Sequence, residues 1–282
     1  MSDNLPAVVT EGKVRFLPVP MSAEGEAPEL DAKANFENRT NTQLPRIEIV
    51  HAAGVFKMPD GSTTPKFMAR VLDANQCRAY WATREGGNRP PDCSSLDGVV
   101  PVPLEAPAQT MAEMCAECHL NRYGTAQNPD GSTGRGKACK QMWRLHLILS
   151  EERDLALPVR LTLPPTSIKT WNGILDFLGQ FRINYRRPVF EFGLEEHQDG
   201  QQHWSTLKIK TLEVPGAQPA DPAMARFNWL GPDEATLLIA YLHEWQAACR
   251  MQRIEMSDYA AEAVSAGESN GTSDHESFQG QF

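Results

Sequence analysis

Apolar and polar residues alternate in short runs through the middle of the chain, and the period changes twice. From Arg46 to Val50, and again at Val55 and Phe56, the alternation is partial and stops at Pro59-Asp60-Gly61; it resumes from Phe67 to Leu72. Two runs broken by such a turn predict a hairpin. Trp143 to Leu149 and Val159 to Leu163 alternate with one apolar face and predict two more strands. The period then lengthens. Ile168, Trp171, Ile174, Leu175 and Leu178 fall on one helical face, with Ser167 placed as N-cap and Gly179 near the end. Strands return from Pro188 to Leu194 and from His203 to Val214 around the Gln198-Asp199-Gly200 turn. A last helix, from about Asp233 after Pro232 to Arg253, lines up Leu237, Leu238, Tyr241, Leu242, Trp245 and Cys249.

Strands, one helix, then a closing hairpin is the order of an OB-fold barrel. The fold class expected is therefore mainly β with minor α: an OB-like barrel, residues 39–253, carrying a C-terminal helix at 233–253. Charge separates this body from its ends. Residues 1–38 hold seven acids and three bases, and residues 254–282 hold six acids and no base, so the overall charge of −9 belongs to the ends and the body is nearly neutral. Both ends are too poor in apolar groups to offset ordering entropy, and both are expected to be disordered. The tail finishes in Ser277-Phe278-Gln279-Gly280-Gln281-Phe282, an aromatic-tipped acidic peptide. Its outline is similar to the partner-recruiting tails of bacterial single-stranded-DNA-binding proteins, which implies replication or recombination proteins as partners; an ordinary solubilising tail is the plainer reading.

Between the early strands and Trp143 the alternation lapses, and cysteine takes over. Cys93, Cys115, Cys118 and Cys139 are spaced C-x21-C-x2-C-x20-C, with turn residues around them. A C-x2-C knuckle plus two flanking single cysteines supplies the four ligands of one structural Zn2+. This predicts a zinc-ribbon-like insertion at about 85–142. Three readings compete. Disulfides need an oxidising compartment, and the N-terminus shows no export signal. Cys115-Ala116-Glu117-Cys118-His119 matches the c-type haem pattern, which leaves Cys93 and Cys139 unexplained. Four unrelated buried thiols is the third, a description that suits Cys77 and Cys249.

The run Pro91-Asp92-Cys93-Ser94-Ser95 with Asp97-Gly98, then Cys115-x-x-Cys118 with Asn121 and Gly124, then Gly134-x-Gly136-Lys137-Ala138-Cys139-Lys140, resembles a family of single-stranded-DNA-binding-type and uncharacterised proteins from bacteriophages and mobile elements. The resemblance spans about residues 45–215. It implies a zinc-binding insertion interrupting an OB-like barrel and accessory work in replication or recombination. It supplies no catalytic residue.

Single-strand binders need cations for phosphates and flat side chains for bases. Arg122, Arg135, Lys137, Lys140 and Arg144, with Tyr123 and Trp143 interleaved, offer both. Arg186 and Arg187 beside Tyr185, with Arg182, form a second group, and Arg78, Tyr80, Trp81 and Arg84 a third. For each group the competing reading is a solvated face with aromatics in the core. No nucleophile elbow, kinase set, H-E-x-x-H or deaminase pattern occurs, and four cysteines would fill every zinc position, so no enzyme is expected. Glu191, Glu195 and Glu196 could in principle hold Mg2+, but their spacing specifies nothing. No apolar run reaches the roughly 20 residues of a membrane span, and a cytoplasmic protein is expected. The sequence therefore predicts a non-enzymatic binder of single-stranded DNA with little sequence preference. The alternative is a zinc-ribbon protein-interaction adaptor that touches no nucleic acid.

Overall fold

The structure, a computed structural model, describes residues 44–82, 90–102, 111–127, 131–149, 157–199, 202–211, 232–252 and 254. The acidic arm 1–38 and, apart from Ile254, the tail 254–282 lie outside the described residues, as does Arg84. The elements are β1 (Arg46–Val50), β2 (Val55–Lys57), β3 (Thr63–Thr64), β4 (Lys66–Tyr80), β5 (Cys93–Ser95), β6 (Lys140–Leu149), β7 (Val159–Leu163), α1 (Ile168–Gln180), β8 (Val189–Asp199), β9 (Gln202–Thr211) and α2 (Pro232–Arg250). The strands join in one sheet of order β3-β2-β1-β7-β6-β4-β8-β9, with β5 added to β4. The protein is mainly β, and the sheet curls into a half-barrel.

The early hairpin differs from the expectation. β2 turns back at Pro59-Asp60-Gly61 into the two-residue β3, pairing Phe56 with Thr64. Phe67 to Leu72 instead belong to the 15-residue β4, which lies between β6 and β8. Its length explains the change of partner: a strand buried on both faces gains more from a central place than from a short ribbon. β1 lies parallel to β7, Arg46 opposite Arg160, and its far end approaches β9. There the His51 ring nitrogen Nδ1 is 2.9 Å from the Ser205 carbonyl and 3.0 Å from its hydroxyl, which ties the open side of the curl.

The inner face carries the main core. Phe56, Ala69, Val71, Leu145, Leu147, Val159, Leu161, Phe190 and Phe192 are buried there, and α1 inserts Trp171 and Leu178. Each such large side chain contributes about 1.5–3 kcal/mol by leaving water. Trp171 meets Trp143, Tyr185 and Phe190 edge-on at centroid distances of 6.4, 6.1 and 5.9 Å. Ser167 is the N-cap as expected, although its side chain makes no capping bond. The left-handed residue that ends α1 is Arg182, φ 55°, rather than a glycine.

A β-bulge at Leu72 resets the register between Val71, opposite Leu147, and Asp73, opposite His146. Leu72 and Asp73 consequently both reach the outer face. α2 covers that face with Leu238, Tyr241, Leu242, Trp245 and Cys249 against Leu72 and Ile148. Leu237, expected in the same stripe, is exposed. Farther along the outer face Cys77, Ala79, Trp81 and Met142 pack with Ile254.

Between these two apolar patches lies a buried polar row. Asp73, His146 and Arg160 are direct cross-strand neighbours on β4, β6 and β7, and Arg144 is opposite Thr162. His146 is fully buried, and neither ring nitrogen has a hydrogen-bond partner. Desolvation, then Arg144, with Arg160 and Arg250 adding to it, pushes its pKa down to about 3 against the opposing pull of Asp73. In the unfolded chain the same imidazole titrates near 6.5. A depressed folded pKa means that the unfolded state binds the extra proton, so stability is full above about pH 6.5 and drains away as pH falls toward 3. His51, lowered by burial against the Ser205 bond, acts with the same sign. Urea midpoints measured at pH 7, 5.5 and 4.5 are expected to fall steeply in the wild type. His146→Gln is expected to flatten that limb by about 1.4 kcal/mol per pH unit, leaving the shallower slope of His51.

Candidate metal centre and nucleic-acid interface

β4 and β6 run past the curl as a two-stranded ribbon, and the segment between them is the cysteine-bearing insertion. Cys93 opens β5, opposite Tyr80 at the end of β4. Cys139 immediately precedes β6, and its N–H donates to the Leu120 carbonyl at 2.9 Å. Cys115 and Cys118 form the knuckle: the Cys115 N–H donates to Val99 O at 2.9 Å, and Cys118 caps the 3-10 turn His119–Asn121. Asn121 locks the pieces together. Its side-chain amide donates to Cys115 O at 2.9 Å, while its Oδ1 accepts from Arg78 Nη1 at 2.7 Å and from Lys137 Nζ at 3.2 Å.

The four thiols share one neighbourhood. Burial pushes the Cys139 thiol up to about 12, Arg78 pulls it down, and Cys115, Cys118 and Cys93 push it further up. Burial also raises Cys93, opposed by a hydrogen bond from the Met111 N–H and reinforced by Cys115 and Cys118. Such mutual repulsion reaches farther than a coordination bond. Among the described residues no group of three or more His, Cys, Asp or Glu stands ready to hold a metal ion. The sulfurs thus sit near enough to act on one another's charge. The donor set nonetheless suits Zn2+: soft sulfur ligands on a knuckle, a backbone N–H on one sulfur and a guanidinium beside another. His119 is exposed and opens the turn that follows Cys118.

Burial here has an unusual source. Cys115 and Cys118 are each 8% exposed, yet neither belongs to any of the apolar clusters; Leu96 is the insertion residue that reaches one.

The basic and aromatic residues divide sharply. Arg122, Tyr123, Arg135 and Lys137 come together on the insertion, where Gly124, φ 81°, donates its N–H to Arg135 O and Gly136 O. Tyr123 is 81% exposed, and Lys137 Nζ stands 4.9 Å above its ring. Arg122 and Arg135 are exposed beside it, and Lys140, at the start of β6, is half-buried.

The remaining expected contacts are buried or half-buried in the sheet and the loop after α1. Arg144 is 1% exposed and donates to the Gln252 carbonyl; alternation on β6 sends it to the face that α2 covers. Trp143 points inward to Trp171. Tyr185 is half-buried on the same tryptophan, with the Arg186 guanidinium 4.7 Å over its ring. Arg186 donates to Leu72 O at 2.7 Å and to Asp73 Oδ1 at 2.9 Å. Arg187 is half-buried, and its carbonyl accepts from the buried Arg70. In the third group Trp81 is core, Tyr80 is half-buried, and Arg78 holds Asn121, Gly98 O and Gln141 Oε1. Sequence reasoning missed Asp73 and the structural role of Asn121. A buried acid gives no periodic signal, whereas Asn121 could have been suspected from its place three residues after the knuckle.

No family model, curated protein or solved structure matches the chain.

Arg186→Ala is expected to lower stability in a denaturant titration by about 1–3 kcal/mol, because it strips a charged partner from a buried carboxylate.

Proposed function

We propose that the protein binds single-stranded nucleic acid through a zinc-stapled insertion on an OB-like half-barrel. The pairing order supports the OB-like part. β4, β6 and β7 form an antiparallel meander, α1 follows, and β8 and β9 form a hairpin that returns to β4. That order is compatible with the five-stranded OB arrangement; β1 pairs with the third strand, and His51 just after it meets the fifth at Ser205. The insertion then occupies the loop between the first and second barrel strands, one of the two loops with which OB folds hold oligonucleotides.

The observation that carries the reading is Tyr123, exposed at 81%, with Lys137 over its ring and Arg122 and Arg135 flanking it. An exposed ring ordered by a cation, with further cations around it, offers a base a stacking surface and its phosphates a counter-charge. Cys93, Cys115, Cys118 and Cys139 would hold one structural Zn2+, which supplies the core that this insertion lacks in apolar side chains. Their motif resemblance to phage and mobile-element single-stranded-DNA-binding-type proteins points the same way. The set of contacts is narrower than the sequence suggested: Arg122, Tyr123, Arg135 and Lys137, with Lys140 at the edge.

The adaptor reading keeps one observation in its favour, the apolar residues exposed on the same insertion.

Elemental analysis of protein purified without chelator is expected to find about one zinc per chain. Cys115→Ser is expected to lose it and to expose the insertion to protease. Full metal content in that variant would remove the four-cysteine centre. Anisotropy titrations of labelled oligothymidine at two salt concentrations test the interface. The combined change Arg122→Ala, Arg135→Ala and Lys137→Ala should weaken binding and flatten its salt dependence by about 0.7 for each phosphate that is no longer neutralised. Tyr123→Ala should cost about 1–3 kcal/mol at either salt. Absence of binding by the wild type would transfer the assignment to the adaptor.

A further inference from the structure

The insertion is polarised in charge. Its described residues from 90 to 118 carry Asp92, Asp97, Glu113 and Glu117 and no lysine or arginine, whereas those from 119 to 140 carry Arg122, Arg135, Lys137 and Lys140 and no acid. Among the described residues no ion pair joins Asp97, Glu113 or Glu117 to Arg122, Arg135 or Lys137. The acidic half holds its charge firmly. Desolvation works against Asp97, but N–H groups of Val100 and Val99 at 2.9 and 2.7 Å and the Ser95 hydroxyl at 2.9 Å keep its carboxyl below the usual carboxylate range.

Apolar exposure is concentrated on that same half. Of the ten large apolar side chains exposed among the described residues, five are Val99, Val100, Val102, Met111 and Met114, and a sixth is Tyr123 on the basic half. Four of the five are tied through the cysteine segments, and Val100 follows Val99 directly. The bond from Cys115 N–H to Val99 O sets Val99 beside Met114, the bridge of Ser94 with Val102 sets Val102 beside Cys93, and the Met111 N–H bonds to the Cys93 sulfur. Concentrated exposure of this kind, rimmed by charge, marks an interaction surface rather than scatter.

We propose that this acid-rimmed apolar patch receives the basic, Tyr123-tipped half of the insertion of a second copy of the chain. The two halves are complementary in the way a head-to-tail contact requires: Tyr123 and the Lys137 stem lie on valine and methionine, and Arg122 and Arg135 meet Asp97, Glu113 and Glu117. The contact is heterologous, so it leaves a patch open at one end of each pair and a basic face at the other, and it extends the assembly until a ring closes. It does not rest on nucleic-acid binding.

Sedimentation velocity of the full-length, metal-loaded protein without nucleic acid, over a concentration series at low and high salt, tests the proposal. The wild type is expected to assemble with concentration and to dissociate as salt rises. Two surface variants separate the halves: Val100→Lys with Met114→Lys removes the patch, and Tyr123→Ala with Arg135→Glu removes the basic face. Each variant alone should be monomeric, with metal content and thermal melting as in the wild type. Mixed in equal amounts they should form a dimer that grows no further, since each supplies the half the other lacks. A wild type that stays monomeric at every concentration, a patch variant that assembles like the wild type, or a mixture that remains monomeric would each overturn the proposal. Because assembly would cover the same Tyr123, Arg122 and Arg135 that are offered to nucleic acid, the oligothymidine titration is run at protein concentrations below those of assembly, where its outcome bears on the nucleic-acid reading alone.

Discussion

Asp73 is a fully buried carboxylate, and elements far apart in the chain meet on it. Arg186, from the loop after α1, donates to Oδ1 at 2.9 Å, and Arg250, from the end of α2, donates to Oδ2 at 3.1 Å. Burying a carboxylate without such partners costs several kcal/mol, so the site is tolerable only when both loop and helix are in place. The bulge at Leu72 makes this possible. Regular alternation would send Leu72 and Asp73 to opposite faces; the extra residue turns both outward, one to anchor α2 by apolar contact and the other by charge.

This constraint also decides which cations remain available to a ligand. Arg70, Arg144 and Arg160 are buried on the same sheet and Arg186 is committed to it, so these four positive charges are held by the fold. A formal charge near zero for the body therefore conceals a division: arginines of the sheet compensate one carboxylate and several carbonyls, while those of the insertion face water. Counting charge along the chain cannot separate the two populations, because burial is a property of the folded sheet.

The same distinction sets what could be read in advance. α1, β7 and the closing hairpin were legible because each has a single apolar face that must be buried, and the helical or alternating period records it directly. The partner of β4 was not legible. Pairing depends on where a 15-residue strand gains most burial, and that is decided by β6 and β8, which lie far along the chain. Trp143, Arg144 and Tyr185 were misplaced for a related reason: their neighbours in sequence are basic and aromatic, but strand parity turns Trp143 to Trp171 and Arg144 to Gln252. Asp73 is beyond any local pattern. It interrupts an apolar run and would ordinarily argue for exposure.

The insertion obeys a different logic, in which the cysteines stand where apolar residues would. Four thiolates around one Zn2+ leave a centre with net negative charge, which in a half-buried site requires nearby cations and donors. The proposed ligands have them in place. Arg78 lowers the pKa of Cys139 against burial, and through Asn121 Oδ1 it shares an acceptor with Lys137, the residue that stands over Tyr123. Asn121 in turn holds the Cys115 carbonyl. On this reading the metal and the aromatic surface are not independent features of the loop. The amide that fixes the knuckle also fixes the ammonium that orders the ring, so closing the sulfurs on an ion would tighten Lys137 and Tyr123 through a chain of three hydrogen bonds rather than through apolar packing, which the insertion has little means to provide.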